Sequence, residues 1–287
     1  MRDVISRRRF LKTAVGGVLG LGLPAIGASA YVTRIEPYML DVTRLILPLR
    51  GLPPAFAGTT IVQISDWHLG GWMAVERMMA IADVVNTLQP DIIAITGDFV
   101  TRIWAYTPGE ITRILRSLQA NERIVATLGN HDYWTHAPTV RAAIREAGVT
   151  LLDNATITLR RDGAALYLVG VDDIWEEHHD LDRALADVPD GAATVLLAHE
   201  PDFADEAAAT GRIGLQLSGH SHGGQVRLPG KGALILPHLG RKYDSGLYRI
   251  NGMMLYVNRG LGMVAPYVRF NCPPEVTHIT LSAPEAA

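Results

Sequence analysis

Apolar residues along this chain gather in short runs that stop abruptly at glycine or a polar residue. Five such runs, at 60–65, 92–96, 124–128, 193–197 and 213–217, are rich in β-branched residues and end at Asp66, Gly97, Gly129, His199 and Gly219. Their length and continuity predict buried strands. Between them, segments at 73–88, 108–119, 138–147 and 201–210 carry helical periodicity, the last opened by Pro201. Further strands are predicted at 150–159, 166–171, 247–250, 254–257 and 276–281, with Arg161-Asp162-Gly163 as a hairpin turn. This alternation implies an α/β fold, a four-layer αββα sandwich of two mixed β-sheets flanked by helices.

The residues just past each strand turn the picture from fold to chemistry. Five short segments sit at the ends of the five buried runs: Asp66-Trp67-His68, Gly97-Asp98, Gly129-Asn130-His131-Asp132, Ala198-His199 and Gly219-His220-Ser221-His222. Asp, Asn and His hold hard-to-borderline divalent cations, and a two-metal site needs a carboxylate able to bridge ions roughly 3.5–4 Å apart. A single Asp-x-His or Gly-Asp after a strand is more often a turn or a helix cap. All five in sequence, each after a strand, place their side chains at one sheet edge, because open α/β sheets bind ligands at the carboxyl ends of their strands.

The order Asp-x-His, Gly-Asp, Gly-Asn-His-Asp, His, Gly-His-Ser-His resembles the calcineurin-like metallophosphoesterase superfamily. The fuller strings Ile64-Ser65-Asp66-Trp67-His68-Leu69-Gly70, Gly219-His220-Ser221-His222-Gly223-Gly224-Gln225 and Arg269-Phe270-Asn271-Cys272-Pro273-Pro274-Glu275 are similar to its bacterial exported or membrane-associated phosphodiesterase branch. The resemblance spans about residues 40–281. It implies two divalent ions, of manganese, iron or zinc, with Asp66, His68 and His222 on the first, Asp98 bridging, and Asn130, His199 and His220 completing the second. It also implies that His131 is a non-ligand that protonates the leaving-group oxygen while the ions activate the attacking water. One position departs from the phosphoprotein-phosphatase branch, which has an Asp three residues after the bridging Asp to orient the catalytic His. Here Thr101 stands there, which argues against a phosphoprotein phosphatase and leaves open what orients His131; Asp132 is adjacent in sequence.

The N-terminus is informative on its own account. Ser6-Arg7-Arg8-Arg9-Phe10-Leu11-Lys12 precedes an uncharged stretch from 13 to 33, and Ala28-Ser29-Ala30 offers a small-x-small cleavage site. This resembles a twin-arginine export signal, so residues 1–30 are expected to be a signal or, if retained, an anchor. The export machinery, and a periplasmic or outer-face location on the cytoplasmic membrane, come with it as expectations. Residues 31–287 then form one metallophosphoesterase domain. The whole chain is at −3, and removing residues 1–30 leaves 21 basic against 28 acidic side chains, or −7, which disfavours broad nucleic-acid binding. The lone Cys272 excludes an internal disulfide and reads as a packed residue.

Function then reads as a metal-dependent phosphodiesterase or pyrophosphohydrolase on an envelope-associated substrate, lipid-linked substrates included. The anchor and the apolar stretches Leu45-Ile46-Leu47 and Leu261-Gly262-Met263-Val264-Ala265-Pro266 motivate that reading. A scavenging phosphodiesterase for soluble esters and a catalytically silent metal-stabilised binding module are the alternatives. Trp67 and Trp72 are candidates for the site entrance. His178 and His179 read as a solvated loop near the mouth, while His136, His238 and His278 lack ligand spacing.

Overall fold

The computed structural model describes residues 23–101 and 107–284. Its strands are β1 (Asp41–Pro48), β2 (Thr60–Ile64), β3 (Ile92–Thr96), β4 (Arg123–Thr127), β5 (Thr150–Leu151), β6 (Ala155–Arg161) and β7 (Ala164–Gly170), followed by β8 (Thr194–Leu197), β9 (Leu215–Ser218), β10 (Arg227–Leu228), β11 (Gly232–Ala233), β12 (Gly246–Ile250), β13 (Met253–Val257) and β14 (Glu275–Ser282). The α-helices are α1 (Leu23–Ala30), α2 (Val75–Thr87), α3 (Pro108–Ser117), α4 (Asn130–Glu146), α5 (Leu181–Ala184) and α6 (Ala204–Ala209). One six-stranded sheet has the order β1-β14-β2-β3-β4-β5 and the other β12-β13-β9-β8-β7-β6, with β10 and β11 as a separate ribbon.

Strand alternation builds the layers. In β3, Ile92 and Ala94 enter the core between the sheets while Ile93 and Ile95 face α2, α3 and α4. In β8, Val195 and Leu197 point inward, whereas Leu196 meets α5 and α6. Both faces of these strands are buried, which is why their sequences run apolar without alternating. A fully buried Ile or Leu contributes about 1.5–3 kcal/mol, so a charge at Ile93 would break the layer from within. The αββα sandwich predicted from the sequence is the observed architecture.

Parallel pairing of β2, β3 and β4 in one sheet, and of β8 and β9 in the other, brings their carboxyl ends to one side of the molecule. Gln63 ties the two sheets together there, its Nε2 donating to Ser218 O at 2.9 Å and to Thr96 Oγ1 at 3.2 Å.

Several predicted elements need correction. The strand expected at 150–159 is two strands in different sheets, β5 and β6. Asn154 turns the chain between them in the left-handed region at φ 50, and its Oδ1 accepts the amides of Asp172 and Asp180 at 2.9 and 2.8 Å. The helix expected at 138–147 starts earlier, at Asn130, and breaks at His136, two residues before Pro138, whose missing N–H ends the regular ladder. The segment at 201–210 opens as a 3-10 turn (Pro201–Phe203) before α6. Strand β1, whose apolar run is only Leu45-Ile46-Leu47 between Arg44 and Pro48, escaped prediction. It pairs with β14 and turns Leu47 into the core while leaving Ile46 73% exposed, so Leu45-Ile46-Leu47 is an edge strand. The basic half of the expected export signal lies outside the described residues. From Leu23 the chain runs as α1, then a π turn (Tyr31–Ile35) and a 3-10 turn (Glu36–Tyr38); among the described residues no helix is long and apolar enough to cross a membrane.

Candidate metal centre

Five of the seven predicted ligand residues adopt left-handed backbone: Asp66 (φ 51), His68 (φ 51), Asp98 (φ 55), His220 (φ 67) and His222 (φ 52). That conformation costs an L-residue about 1–2 kcal/mol, so the surroundings must hold it. They do so with main-chain bonds between strand ends: Asp66 N–H donates to Gly97 O at 3.0 Å, His68 N–H to Asp98 O at 3.1 Å, and Gly219 N–H to His199 O at 3.0 Å. His220 N–H donates to both carboxylate oxygens of Asp66 at 3.1 Å. Close approach also demands glycine at two of the turns. A Cβ at Gly129 would lie 2.4 Å from Asp98 Oδ1, and one at Gly219 would lie 2.0 Å from Ser65 Oγ and 2.3 Å from Asp66 Oδ2.

All seven residues are buried, and their donor atoms converge. Asp98 Oδ2 is 3.4 Å from His68 Nε2 and 3.3 Å from His199 Nε2, the placement a bridging carboxylate needs. On one side, His68 Nε2 and His222 Nε2 approach to 2.9 Å, with Asp66 Oδ1 3.4 Å from His222 Nε2. On the other side, His199 and His220 pack edge to face at 5.0 Å between ring centroids, with Glu200 close enough to join them as a third donor.

Outer contacts set which ring nitrogen is available. His199 Nδ1 sits 2.6 Å from Thr96 O, so Nδ1 keeps a proton there and Nε2, facing Asp98, is the nitrogen available for coordination. His220 Nε2 is 2.7 Å from His238 O, which leaves Nδ1 for coordination. Thr101, standing where an orienting Asp is found in phosphoprotein phosphatases, places its hydroxyl 2.9 Å from His68 Nδ1.

Burial pushes His68 and His220 down to about 3, so both imidazoles are neutral at physiological pH, as metal ligation requires. Burial, reinforced by the nearby charge of Asp98, raises Asp66 to about 7. Burial opposes charge on His199 as well, but Asp98 beside it outweighs that and raises the imidazole well above its ordinary range.

The donor set fits divalent cations. Asn130 Oδ1 and His199 Nε2 are buried without a hydrogen-bond partner, an arrangement that costs about 1–3 kcal/mol per atom unless something binds there. Asp66, His68, Asp98 and His222 could hold one ion, and Asp98, Asn130, His199 and His220 a second. Bound there, divalent ions would lower the pKa of water and offset charge on phosphoryl oxygens.

His131 lies beside the cluster, half-buried. Its amide donates to Asp98 Oδ1 at 2.9 Å, and its ring packs between His68 and Trp134, at 4.7 and 4.8 Å between centroids. Asp132 turns away from that ring. Its Oδ2 accepts the amides of Asp98 and Gly129 at 3.0 Å each and its Oδ1 the amide of Val100 at 3.2 Å, so it clasps the main chain around Asp98 and aromatic packing positions His131. The entrance expectation is also corrected. Trp67 is fully buried against Phe99, and Trp72 lies beside Tyr38 and Arg77 in a separate pocket. His178 stacks on Tyr133 and His179 meets Phe203 edge-on, neither at the cavity wall.

The cluster opens into a cavity of about 440 Å³. One wall is Leu234 to Pro237, a second is Val264 to Pro266 with Val268, and Trp134, packed on His131, and Trp175, packed on Trp134, complete the lining. Gln225 anchors the second wall by four bonds: its Oε1 accepts Val264 N–H at 2.8 Å and its Nε2 donates to Val264 O and Pro266 O at 3.1 Å and to Val268 O at 3.4 Å. Sequence reasoning missed Trp134, Trp175, Glu200 and the 234–237 wall. The available signal was the apolar Leu234-Ile235-Leu236-Pro237 run shortly after the Gly-His-Ser-His motif.

Comparison with known proteins agrees with this arrangement. The family profile of the calcineurin-like phosphoesterases matches residues 59–224, which contain all seven ligand candidates and His131. The chain is 34% identical over 282 residues to the uncharacterized metallophosphoesterase YkuE of Bacillus subtilis, covering 97% of this chain and 98% of that protein. It is 29% identical to the UDP-2,3-diacylglucosamine pyrophosphatase LpxG of Chlamydia trachomatis, over 86% of this chain and 90% of that one. To the phosphodiesterase YaeI of Escherichia coli it is 27% identical, over 97% of this chain and the full length of that protein. A buried His/Asp cluster at the strand ends of two facing sheets and a match across the motif-bearing half of the chain place this hydrolase in the calcineurin-like phosphoesterase family.

Proposed function

We propose that this chain is a two-metal phosphodiesterase or pyrophosphohydrolase whose substrate is envelope-associated, with lipid-linked phosphoesters as the favoured class. The observation that carries this reading is the join between a polar metal cluster and an apolar cavity: Asp98, Asn130, His131, His220 and His222 line the same space as Leu234 to Pro237 and Val264 to Pro266. A phosphoryl group suits the first set and an acyl or prenyl chain the second. LpxG, whose name records a diacylated pyrophosphate substrate, supports the class. In this reading Asp66, His68, Asp98 and His222 hold one ion, and Asp98, Asn130, His199 and His220 the other. His131, packed against Trp134 at the cavity wall, delivers a proton to the leaving oxygen. Residues 1–30 serve as a twin-arginine signal or retained anchor, and the domain at 31–287 works in the periplasm or at the outer face of the cytoplasmic membrane.

The experiment is an incubation of manganese-, iron- or zinc-loaded protein with extracted envelope lipids and a panel of soluble nucleotides, with mass detection of what disappears. The expected result is loss of a phospholipid or lipid-linked sugar. Loss of soluble nucleotides alone would replace this reading by a scavenging phosphodiesterase.

A further inference from the structure

Apart from Ile46 and Leu247, the exposed large apolar side chains among the described residues fall in the N-terminal segment and around the cavity. Beside the cavity mouth stand Leu234 and Ile235, the latter 81% exposed, and Tyr267 is exposed on the loop whose neighbours Pro266 and Val268 line the cavity. The Tyr267 hydroxyl lies over Gly71, 3.3 Å from where a Cβ would stand, and the next residue, Trp72, meets Tyr38 edge-on at 5.3 Å. Tyr38 and Ile35 are exposed in turn. Arg269 N–H donates to Val32 O at 2.9 Å, pinning this part of the N-terminal segment to the loop that carries Tyr267. The set therefore runs from the cavity mouth, through the half-buried Trp72, to the end of the uncharged 13–33 stretch.

Of the cations along this contour, Lys231 is exposed beside the 234–237 wall, whereas Arg227 is paired with Asp244 at 2.7 Å and Arg269 is fully buried. Arg77 lies 3.6 Å from the Tyr38 ring centroid and 3.7 Å from that of Trp72, and its Nη1 is buried with no hydrogen-bond partner among the described residues. Tyr and Trp stacked on an arginine is the composition of a headgroup-level belt, where aromatic rings sit between acyl chain and water.

We infer that Leu234, Ile235, Tyr267, Trp72, Tyr38 and Ile35 form a docking surface for a phospholipid bilayer, which turns the cavity mouth toward the headgroups. The inference rests on the lipid-linked reading for its purpose, since a mouth facing the headgroups would receive a phosphoester without drawing its chains through water. Docking and hydrolysis nevertheless have separate readouts.

Cys272 is buried, so a thiol-reactive, polarity-sensitive dye can be directed to an introduced cysteine. The full chain is labelled at Ile235→Cys and, separately, at Ile46→Cys. Ile46 is equally apolar and 73% exposed, but it lies toward the end of β1 remote from the metal centre, because β1 runs parallel to β14 and β14 antiparallel to β2. With vesicles of phosphatidylethanolamine and phosphatidylglycerol, the dye at 235 is expected to shift to the blue with about a twofold or greater rise in intensity, and to be quenched by brominated acyl chains. The dye at 46 is expected to stay unchanged. Co-flotation of the protein with a water-like signal at 235 would mean tethering by the N-terminal segment alone and would overturn the surface, as would equal responses at both positions or no association. Hydrolysis of a soluble aryl diester by the unsubstituted chain is scored apart, so failed docking and failed chemistry are distinguishable.

Discussion

Asp132 fixes Asp98 by its main chain: the Asp132 carboxylate accepts the Asp98 amide at 3.0 Å, while the Asp98 side chain turns the other way to face His68 and His199. One carboxylate thus holds the strand end at which the next presents its charge. Because the same group accepts the amides of Gly129 and Val100, it joins the turn after β3 to the start of α4.

Replacing Asp132 by Ala leaves three buried N–H groups without acceptors. At about 1–3 kcal/mol for each unsatisfied group, the variant should lose about 3 kcal/mol or more of stability in the metal-free state, read from urea unfolding. A loss under about 1 kcal/mol would mean that the clasp is dispensable.

Asp98→Asn tests the bridge. The amide keeps the shape but removes the charge that lies between two imidazoles. Metal content should fall from two ions toward one or none, and turnover of an activated aryl phosphodiester by about 100-fold or more. Full metal occupancy in the variant would remove Asp98 from the bridging position.

His131 and His199 separate proton transfer from coordination. His131→Ala should keep both ions yet lose turnover, with the loss shrinking for esters whose leaving group needs no proton. His199→Ala should lose metal, since Nε2 of His199 faces Asp98 without another partner. Equal metal loss in both variants would assign His131 to coordination, and a flat dependence on leaving-group pKa would remove its role as acid.

Much of the site was legible because each ligand candidate comes just after a buried strand, so position in sequence maps directly onto position at a sheet edge. The same logic fails where a residue works through contacts distant in sequence. Nothing local to Asp132 says that it clasps the Asp98 and Val100 amides, and nothing local to Asn154 says that it carries the chain from one sheet to the other. Edge strand β1 alternates in exposure and pairs with a strand more than 200 residues away, so its period was masked by Arg44 and Pro48. The cavity walls are loops without periodicity, and only folding brings Ile235 and Pro266 to one cavity.

Arg7→Lys with Arg8→Lys addresses location. The charge is retained but the planar guanidinium fork that an export receptor reads is lost. The variant is expected to fold and remain in the cytoplasm, measured by fractionation against the unsubstituted chain. Undiminished export would point to a general secretory signal.

The pH dependence of metal affinity is set by the unequal titration of the cluster. His68 and His220, held down to about 3 by burial, are neutral throughout pH 5–8 and contribute no slope there. Asp66 behaves oppositely. Burial and the charge of Asp98 raise it to about 7, so below pH 7 a cation must displace its proton, and above pH 7 it need not. His199, raised well above its ordinary range by Asp98, carries a proton over the same window that ligation also expels. Affinity for zinc, measured by chelator competition, should therefore rise with pH throughout, by about tenfold per unit above pH 7 and more steeply below it, as about two protons leave instead of one. Asp66→Asn should remove the extra steepness below pH 7 while weakening binding at every pH. A slope that stays constant from pH 5 to 8 in the unsubstituted chain would mean that Asp66 is already ionised before metal arrives, and that the histidines around it, not burial, set its charge.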